Sequence, residues 1–354
     1  MSNPSGSMLT GDVVIIGAGP VGLFAVFECG MLQLNCHVID ALDIIGGQCA
    51  ALYPEKPIYD IPGYPEITGA NLIKNLQQQV APFRPTYHLG QQVTSLAPAD
   101  ASGKNWLVTT SKGVQIRTRT IIIAAGVGAF GPNRPPLPGI EDFEGKSIHY
   151  YVGSREPYRG KYIVIAGGGD SAVDWALSLS EIAARVSVVH RRPKFRAAPE
   201  SEARLKALAE AGAIDLVIPF QLSGVKGNNG QLTEVVVQSL DGQTKALPVD
   251  VLLPFFGLSM NLGPIAEWGL GLENHHITIH PATGETSRPG IYAIGDIATY
   301  PHKLKLILSG FAEGAQAAHA IRNFLYPEEV LHFEYSTTKG LPLVEQPPKT
   351  ATAA

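Results

Sequence analysis

A chain of 354 residues is long for a single core and suits two domains of ordinary size. With 45% hydrophobic and 16% charged residues, 38 glycines and 27 prolines, it fits a buried, loop-rich α/β protein and not a disordered or coiled chain. A net charge of -4 and the lack of any Lys/Arg run exclude a phosphate-tracking nucleic-acid surface, while leaving room for a local basic patch.

From the N-terminus, Met1 to Thr10 is small and polar, with no basic stretch leading into an apolar one, and predicts a frayed tail without a secretion signal. No apolar run approaches the ~18 residues of a membrane helix. Cys29, Cys36 and Cys49 form neither a CxxC pair nor a disulfide framework, which points to a reducing, cytoplasmic setting.

Two segments then repeat one plan. Asp12 to Ile16 is an apolar strand running into Gly17-Ala18-Gly19-Pro20-Val21-Gly22, a helical stretch, and a second strand ending His37-Val38-Ile39-Asp40. Tyr162 to Ala166 runs into Gly167-Gly168-Gly169-Asp170-Ser171-Ala172, a helical stretch, and a strand ending Val188-Val189-His190. The two copies keep register, since 40 − 17 and 190 − 167 are both 23. Each reads as the βαβ unit of a dinucleotide site. The first glycine makes the turn, the second admits the pyrophosphate, and the small third residue lets helix and strand pack. The pyrophosphate would then sit on the unpaired N–H groups of the helix N-terminus.

The second strands separate the two cofactors. Asp40 accepts from ribose hydroxyls and repels a 2′-phosphate, so the first site suits FAD or NAD. The other strand ends in His190-Arg191-Arg192, with Lys194 and Arg196 close behind. Guanidinium groups grip phosphate oxygens bidentately, so this copy points to NADPH.

Two further signatures belong to the first fold: Thr120 to Gly126, a strand ending in Ala124-Ala125-Gly126, and Ile291 to Asp296, a strand ending in Gly295-Asp296, followed by a helix-like run from Gly310 to Leu325. The Pro-rich stretch Gly131 to Gly139 marks one crossing between domains, and Asp250 to Gly257 the other, where Pro254 and Gly257 interrupt an apolar run. The expected architecture is α/β, with two three-layer Rossmann-like domains. A continuous NADP(H) domain, 128–253, is inserted in a discontinuous FAD domain, 1–127 and 254–354, with a C-terminal extension from about 327. His276 and His280 would share a strand face, but no carboxylate or cysteine completes a ligand set, and no metal is expected.

On these landmarks, with Gly46-Gly47-Gln48 added, the sequence resembles the thioredoxin-reductase-like flavoproteins across essentially its whole length. Members of that group that reduce thioredoxin carry a CxxC dithiol just before the second dinucleotide strand. Here the corresponding stretch, His149 to Gly160, has no cysteine, and disulfide reduction loses its chemistry. Ala51 to Lys56, Pro301 to Leu308 and Phe333 to Thr338 resemble the ferredoxin–NADP(+) reductases of the group. That resemblance implies FAD and NADP(H) as cofactors, ferredoxin as partner, a homodimer, and one-electron delivery with no acid–base residue. It places Tyr53 and Tyr335 on the two flavin faces, with Ser336 and Thr337 near the reactive edge, and Gln48, Ala125 and Asp296 in the FAD site. Lys303 and Lys305, with Lys56, are the candidates for docking an acidic ferredoxin. A reductase of flavodoxin, a quinone or a disulfide protein shares these motifs, and a non-catalytic flavin sensor is the alternative from another class.

Overall fold

A computed structural model describes residues 8–100, 105–329 and 340. The chain divides into two compact units, Met1–Ala129 with Met260–Ala354, and Phe130–Ser259. Its helices are α1 (Pro20–Met31), α2 (Gly47–Ala51), α3 (Gly69–Val80), α4 (Asp170–Ser180), α5 (Pro199–Glu210) and α6 (Ile307–Leu325). None is long and apolar enough to cross a membrane.

The first unit is built on parallel strands. Leu9–Ile16 lies between Cys36–Ile39 and Gln115–Ile123, and Thr86–His88 extends the sheet beyond Cys36–Ile39. Gln115–Ile123 is shared. Its first half pairs antiparallel with Trp106–Thr110, and its last three residues pair parallel with Ile291–Ala293. The chain therefore returns from the second unit to the centre of this sheet, as the Ile291 to Asp296 signature implied.

Both faces of the sheet are covered, which is why its strands read as unbroken apolar runs. Val13, Ile15, Val38 and Ile122 face α1, α3 and α6, where they meet Leu23, Val26, Leu72, Leu76 and Ile321. Val14, Ile16, Ile39, Ile121 and Ile123 face the opposite layer, made by Trp106, Val108, Leu262, Ile265, Trp268 and Ile277. Small residues set how closely α1 and α6 approach. A Cβ at Gly310 would run into Val21, and one at Gly314 would touch Ala25.

In the second unit a parallel sheet runs in the order Ile214–Val217, Arg185–Val189, Tyr162–Ala166, Val251–Pro254. A three-stranded antiparallel sheet, Gln221–Asn228, Gln231–Gln238 and Thr244–Pro248, adds Val235 and Val237 to the core around Val164, Val189 and Leu252. The return crossing comes later than the sequence suggested. Pro254 is the buried last residue of a sheet strand, and the Phe255 N–H continues the ladder to Ala166 O at 2.8 Å. A proline at a strand end forfeits no interior ladder bond, so it did not mark the exit. The two connecting segments, Ala129–Pro132 and Leu258–Asn261, pair with each other. The last helix also begins earlier than expected, at Ile307 rather than Gly310.

Candidate dinucleotide sites

In the first unit the glycines of the turn differ in what surrounds them. Gly17 has φ +114°, and a Cβ there would run into Ala124 O; a Cβ at Gly22 would run into Gly17 O. Both are therefore packing glycines. Gly19 differs: it is the extended N-cap residue of α1, with only Gly47 Cα near the space a side chain would take, 4.0 Å away. Pro20 opens the helix, where its missing N–H costs nothing, and no side chain caps the turn. The uncapped N–H groups of α1 and the cleared space beside Gly19 are the fit expected for a pyrophosphate. Gly47 keeps that space clear, and the Gly46 N–H donates to Ala18 O at 2.9 Å, seating the Gly46-Gly47-Gln48 segment against the glycine turn.

Asp40 closes the turn from the other side. Its Oδ2 accepts the Ala18 N–H at 2.6 Å and its Oδ1 the Leu42 N–H at 2.8 Å. Burial pushes its carboxyl up from the usual range, and the two N–H donors partly offset this. Each oxygen keeps a lone pair, so the carboxylate can shape the turn and still accept from a ribose.

The segment Gln48 to Tyr53 and the distant Asp296 come to one region. The Gln48 amide stands 3.5 Å from where a Cβ of Gly126 would lie, next to the half-buried Ala125. Tyr53 OH is 3.9 Å from Cys49 Sγ. Burial pushes the Cys49 thiol up to about 11 and raises the Tyr53 phenol further, and the nearby Asp296 charge adds to both. Tyr335, Ser336 and Thr337 lie outside the described residues.

The turn bearing Asp296 is held by a residue that sequence reasoning missed. Glu313 of α6 accepts the Gly295 N–H at 2.7 Å, the Tyr300 hydroxyl at 2.8 Å, and Lys303 Nζ. A lone carboxylate inside the apolar run Gly310 to Ala318 was the available signal. This corrects the docking patch. The Lys303 side chain is buried in its pair with Glu313 and offers no surface charge. Lys305 is exposed but directed at His276, whose other ring nitrogen lies 2.7 Å from Asn274 O. Among the described residues no three His, Cys, Asp or Glu side chains gather as a metal cluster.

The second unit repeats the turn. A Cβ at Gly167 would lie 2.6 Å from Phe255 O and 3.0 Å from Ala172 Cβ, and Ala172 is fully buried. Gly169 is the extended N-cap of α4, with no atom within 4 Å of the space a side chain would fill. Asp170 and Ser171, in the first turn of α4, are exposed. The His190 ring fills the place a Cβ on Gly168 would need, and stacks on Phe195 at 5.1 Å. Its Nε2 is 3.2 Å from Lys194 O. Burial holds its pKa down, reinforced by Arg191, Arg192 and Arg196 and opposed by the bond to Lys194 O. Arg191, Arg192, Lys194 and Arg196 are all exposed, and none enters an ion pair among the described residues. Unpaired cations at the end of this strand suit a phosphate.

The description "pyridine nucleotide-disulphide oxidoreductase" matches residues 11–322. The chain belongs to that family. Its relatives include the ferredoxin–NADP reductase of Paramagnetospirillum magneticum, 64% identical over 331 residues, which cover 94% of this chain and 98% of that protein. The ferredoxin–NADP reductase of Rickettsia felis is 56% identical over 330 residues, 93% of this chain and 98% of that one. Among solved structures, Lactococcus lactis thioredoxin reductase aligns with a TM-score of 0.78 at 25% identity, over 90% of this chain and 99% of that chain. T. acidophilum thioredoxin reductase shares the fold, with a TM-score of 0.77 at 22% identity, over 89% and 98%. The family's disulphide chemistry needs accessible thiols, and here all three cysteines are buried. Cys29 is pushed well above the usual thiol range by a thiol–thiol hydrogen bond with Cys36 and by burial.

Proposed function

We propose that the protein is an FAD-dependent ferredoxin–NADP(+) reductase. The observation that carries this reading is the pair of glycine turns in register, one closed by a carboxylate and the other by four exposed cations. Relatives bearing that name match over nearly the full length of both chains. When bound, FAD supplies hydride acceptance from a nicotinamide and single-electron delivery to an iron–sulfur protein.

The chain's own residues bind and orient. Gly17, Gly19, Pro20 and Gly22 seat the FAD pyrophosphate at α1, and Asp40 takes the ribose. Gln48, Tyr53, Ala125 and Asp296 border the flavin, and the resemblance assigns Tyr335 to its other face and Ser336 and Thr337 to the neighbourhood of its reactive edge. Gly167, Gly168, Gly169, Asp170, Ser171 and Ala172 form the turn that seats NADP(H) at α4, and His190, Arg191, Arg192 and Arg196 surround its 2′-phosphate. No side chain is assigned an acid–base role. The same reading includes a homodimer in the cytoplasm, for which sedimentation gives the oligomeric state.

The test is an anaerobic titration of the purified protein with NADPH, followed by ferredoxin, flavodoxin, a quinone and a disulfide in turn. Bleaching of the flavin band and its fastest recovery with ferredoxin are expected. No bleaching ends the enzyme reading, and faster recovery with another acceptor reassigns the partner.

A further inference from the structure

The four cations at the end of the Arg185–Val189 strand occupy six residues, and no carboxylate among the described residues pairs with them. Like charges so close repel one another, and a loop carrying them needs anchors to hold one shape. The structure shows three, each reaching the glycine turn or its helix. The Arg196 N–H donates to Gly168 O at 2.6 Å, so the backbone carrying the last arginine is tied to the pyrophosphate turn. The His190 ring packs on Gly168 and meets Lys194 O, bridging the loop across its middle. The third anchor is Asp170, whose Oδ1 accepts the Ala198 N–H at 2.9 Å, where the loop enters α5.

That third bond is out of place for a coenzyme contact and well placed for a cap. Helix α5 begins with Ala198 at the N-cap and Pro199 behind it, so it has no side-chain cap of its own. Asp170 supplies an acceptor from the neighbouring helix. It does so from the first residue of α4, where the helix dipole favours a negative charge. Ser201 Oγ, 3.4 Å from Asp174 Oδ1, adds a second link between the same two helices one turn further on.

We propose that Asp170 is a positioning residue for 2′-phosphate recognition: it fixes the loop bearing Arg191, Arg192 and Arg196 against the glycine turn, without itself contacting the coenzyme. It rests on the reading of that arginine cluster as the 2′-phosphate site. The preference for NADPH over NADH then depends on a residue outside the cluster, through the angle at which the loop enters α5.

The test uses the holoenzyme and two ligands that differ only in the 2′-phosphate, adenosine 2′,5′-bisphosphate and adenosine 5′-monophosphate, with affinities measured by calorimetry. Asp170→Ala should weaken the bisphosphate about fivefold, the worth of one ordinary hydrogen bond, and leave the monophosphate within about twofold. Asp170→Asn, whose side-chain oxygen can still accept the Ala198 N–H, should restore most of the loss. A thermal melt of each variant identifies global unfolding, and an unfolded Asp170→Ala passes the decision to Asp170→Asn, which must then bind the bisphosphate like the parent. Equal weakening of both ligands would mean direct contact or general damage and overturns the proposal, as does no change in either. The arginine reading is tested separately by Arg191→Ala with Arg192→Ala. If that double variant keeps full preference for the bisphosphate, the site lies elsewhere and both ideas fall. If it loses the preference while Asp170→Ala keeps it, only the role of Asp170 falls.

Discussion

Lys303 and Glu313 form an ion pair whose side chains are 4% and 3% exposed, and the same carboxylate accepts the N–H of Gly295, one residue before Asp296. A buried pair adds little against an apolar substitute, but removing one partner strands the other charge in a low dielectric. Lys303→Met should therefore cost about 3 kcal/mol or more in urea unfolding of the protein. It should also loosen FAD, because the freed carboxylate no longer holds the Gly295–Asp296 turn in place. A variant as stable as the parent would show that the pair is not formed in solution. Ionic-strength dependence of ferredoxin reduction should be the same in parent and variant, since Lys303 offers no surface charge.

What the sequence made legible is what local spacing encodes. The two βαβ copies rest on glycines two residues apart, a small residue three further on, and runs such as Val13 to Ile16, all inside windows of about 30 residues. The Lys303–Glu313 pair was not legible, because its partners meet only when the loop after Thr299 folds back on α6. Lys303 in isolation is an ordinary surface lysine. The late return crossing was hidden for a related reason: Pro254 resembles a break until the strand beside Tyr162–Ala166 is known to end there. The meeting of Tyr53, Cys49 and Asp296 joins segments more than 240 residues apart and rested on resemblance, not on pattern.

The glycines of the first turn should separate by role. Gly17→Ala meets both a positive φ and the Ala124 carbonyl, so it should destabilise the unit itself and lower the melting temperature even without FAD. Gly19→Ala meets open space and an extended backbone, so the apoprotein should melt like the parent while FAD retention drops. Melting curves and flavin content of both variants check this. A Gly19→Ala variant that holds FAD normally would remove the pyrophosphate from this turn.

Coenzyme preference should follow the arginines. Arg191→Ala combined with Arg192→Ala should raise the NADPH KM about tenfold or more, with little change for NADH, because only the 2′-phosphate loses its charged donors. Steady-state kinetics with both coenzymes read the ratio directly. An unchanged ratio would place the 2′-phosphate elsewhere.

The cysteines should be silent. A thiol pushed up to about 11 is almost wholly protonated at pH 7, and the thiolate is the reactive form. Cys49 is also 1% exposed, and Cys29 and Cys36 are buried. Iodoacetamide should leave the folded protein unmodified by mass and label all three after denaturation. Rapid labelling of the native protein at Cys49 would reopen a thiol role beside Tyr53.

The last expectation concerns acid. His37 and His88, 51 residues apart, meet in the interior, with His37 Nδ1 at 3.0 Å from His88 Nε2 and His37 Nε2 at 3.1 Å from Thr10 O. A carbonyl only accepts, so His37 carries its proton on Nε2, its Nδ1 is bare, and His88 Nε2–H donates to it. Burial, and after it the neighbouring His37, holds the His88 pKa below the ordinary histidine value. The unfolded chain then binds a proton first, near the ordinary histidine value of 6.5, while the folded chain does not. Stability is full above that pH and falls as pH drops through it toward the folded value. Unfolding by urea across pH 8 to 5 should show that decline, and His88→Phe should flatten it by up to one proton's worth of slope. An unaltered slope in the variant would mean that the pair takes up its proton equally well when folded.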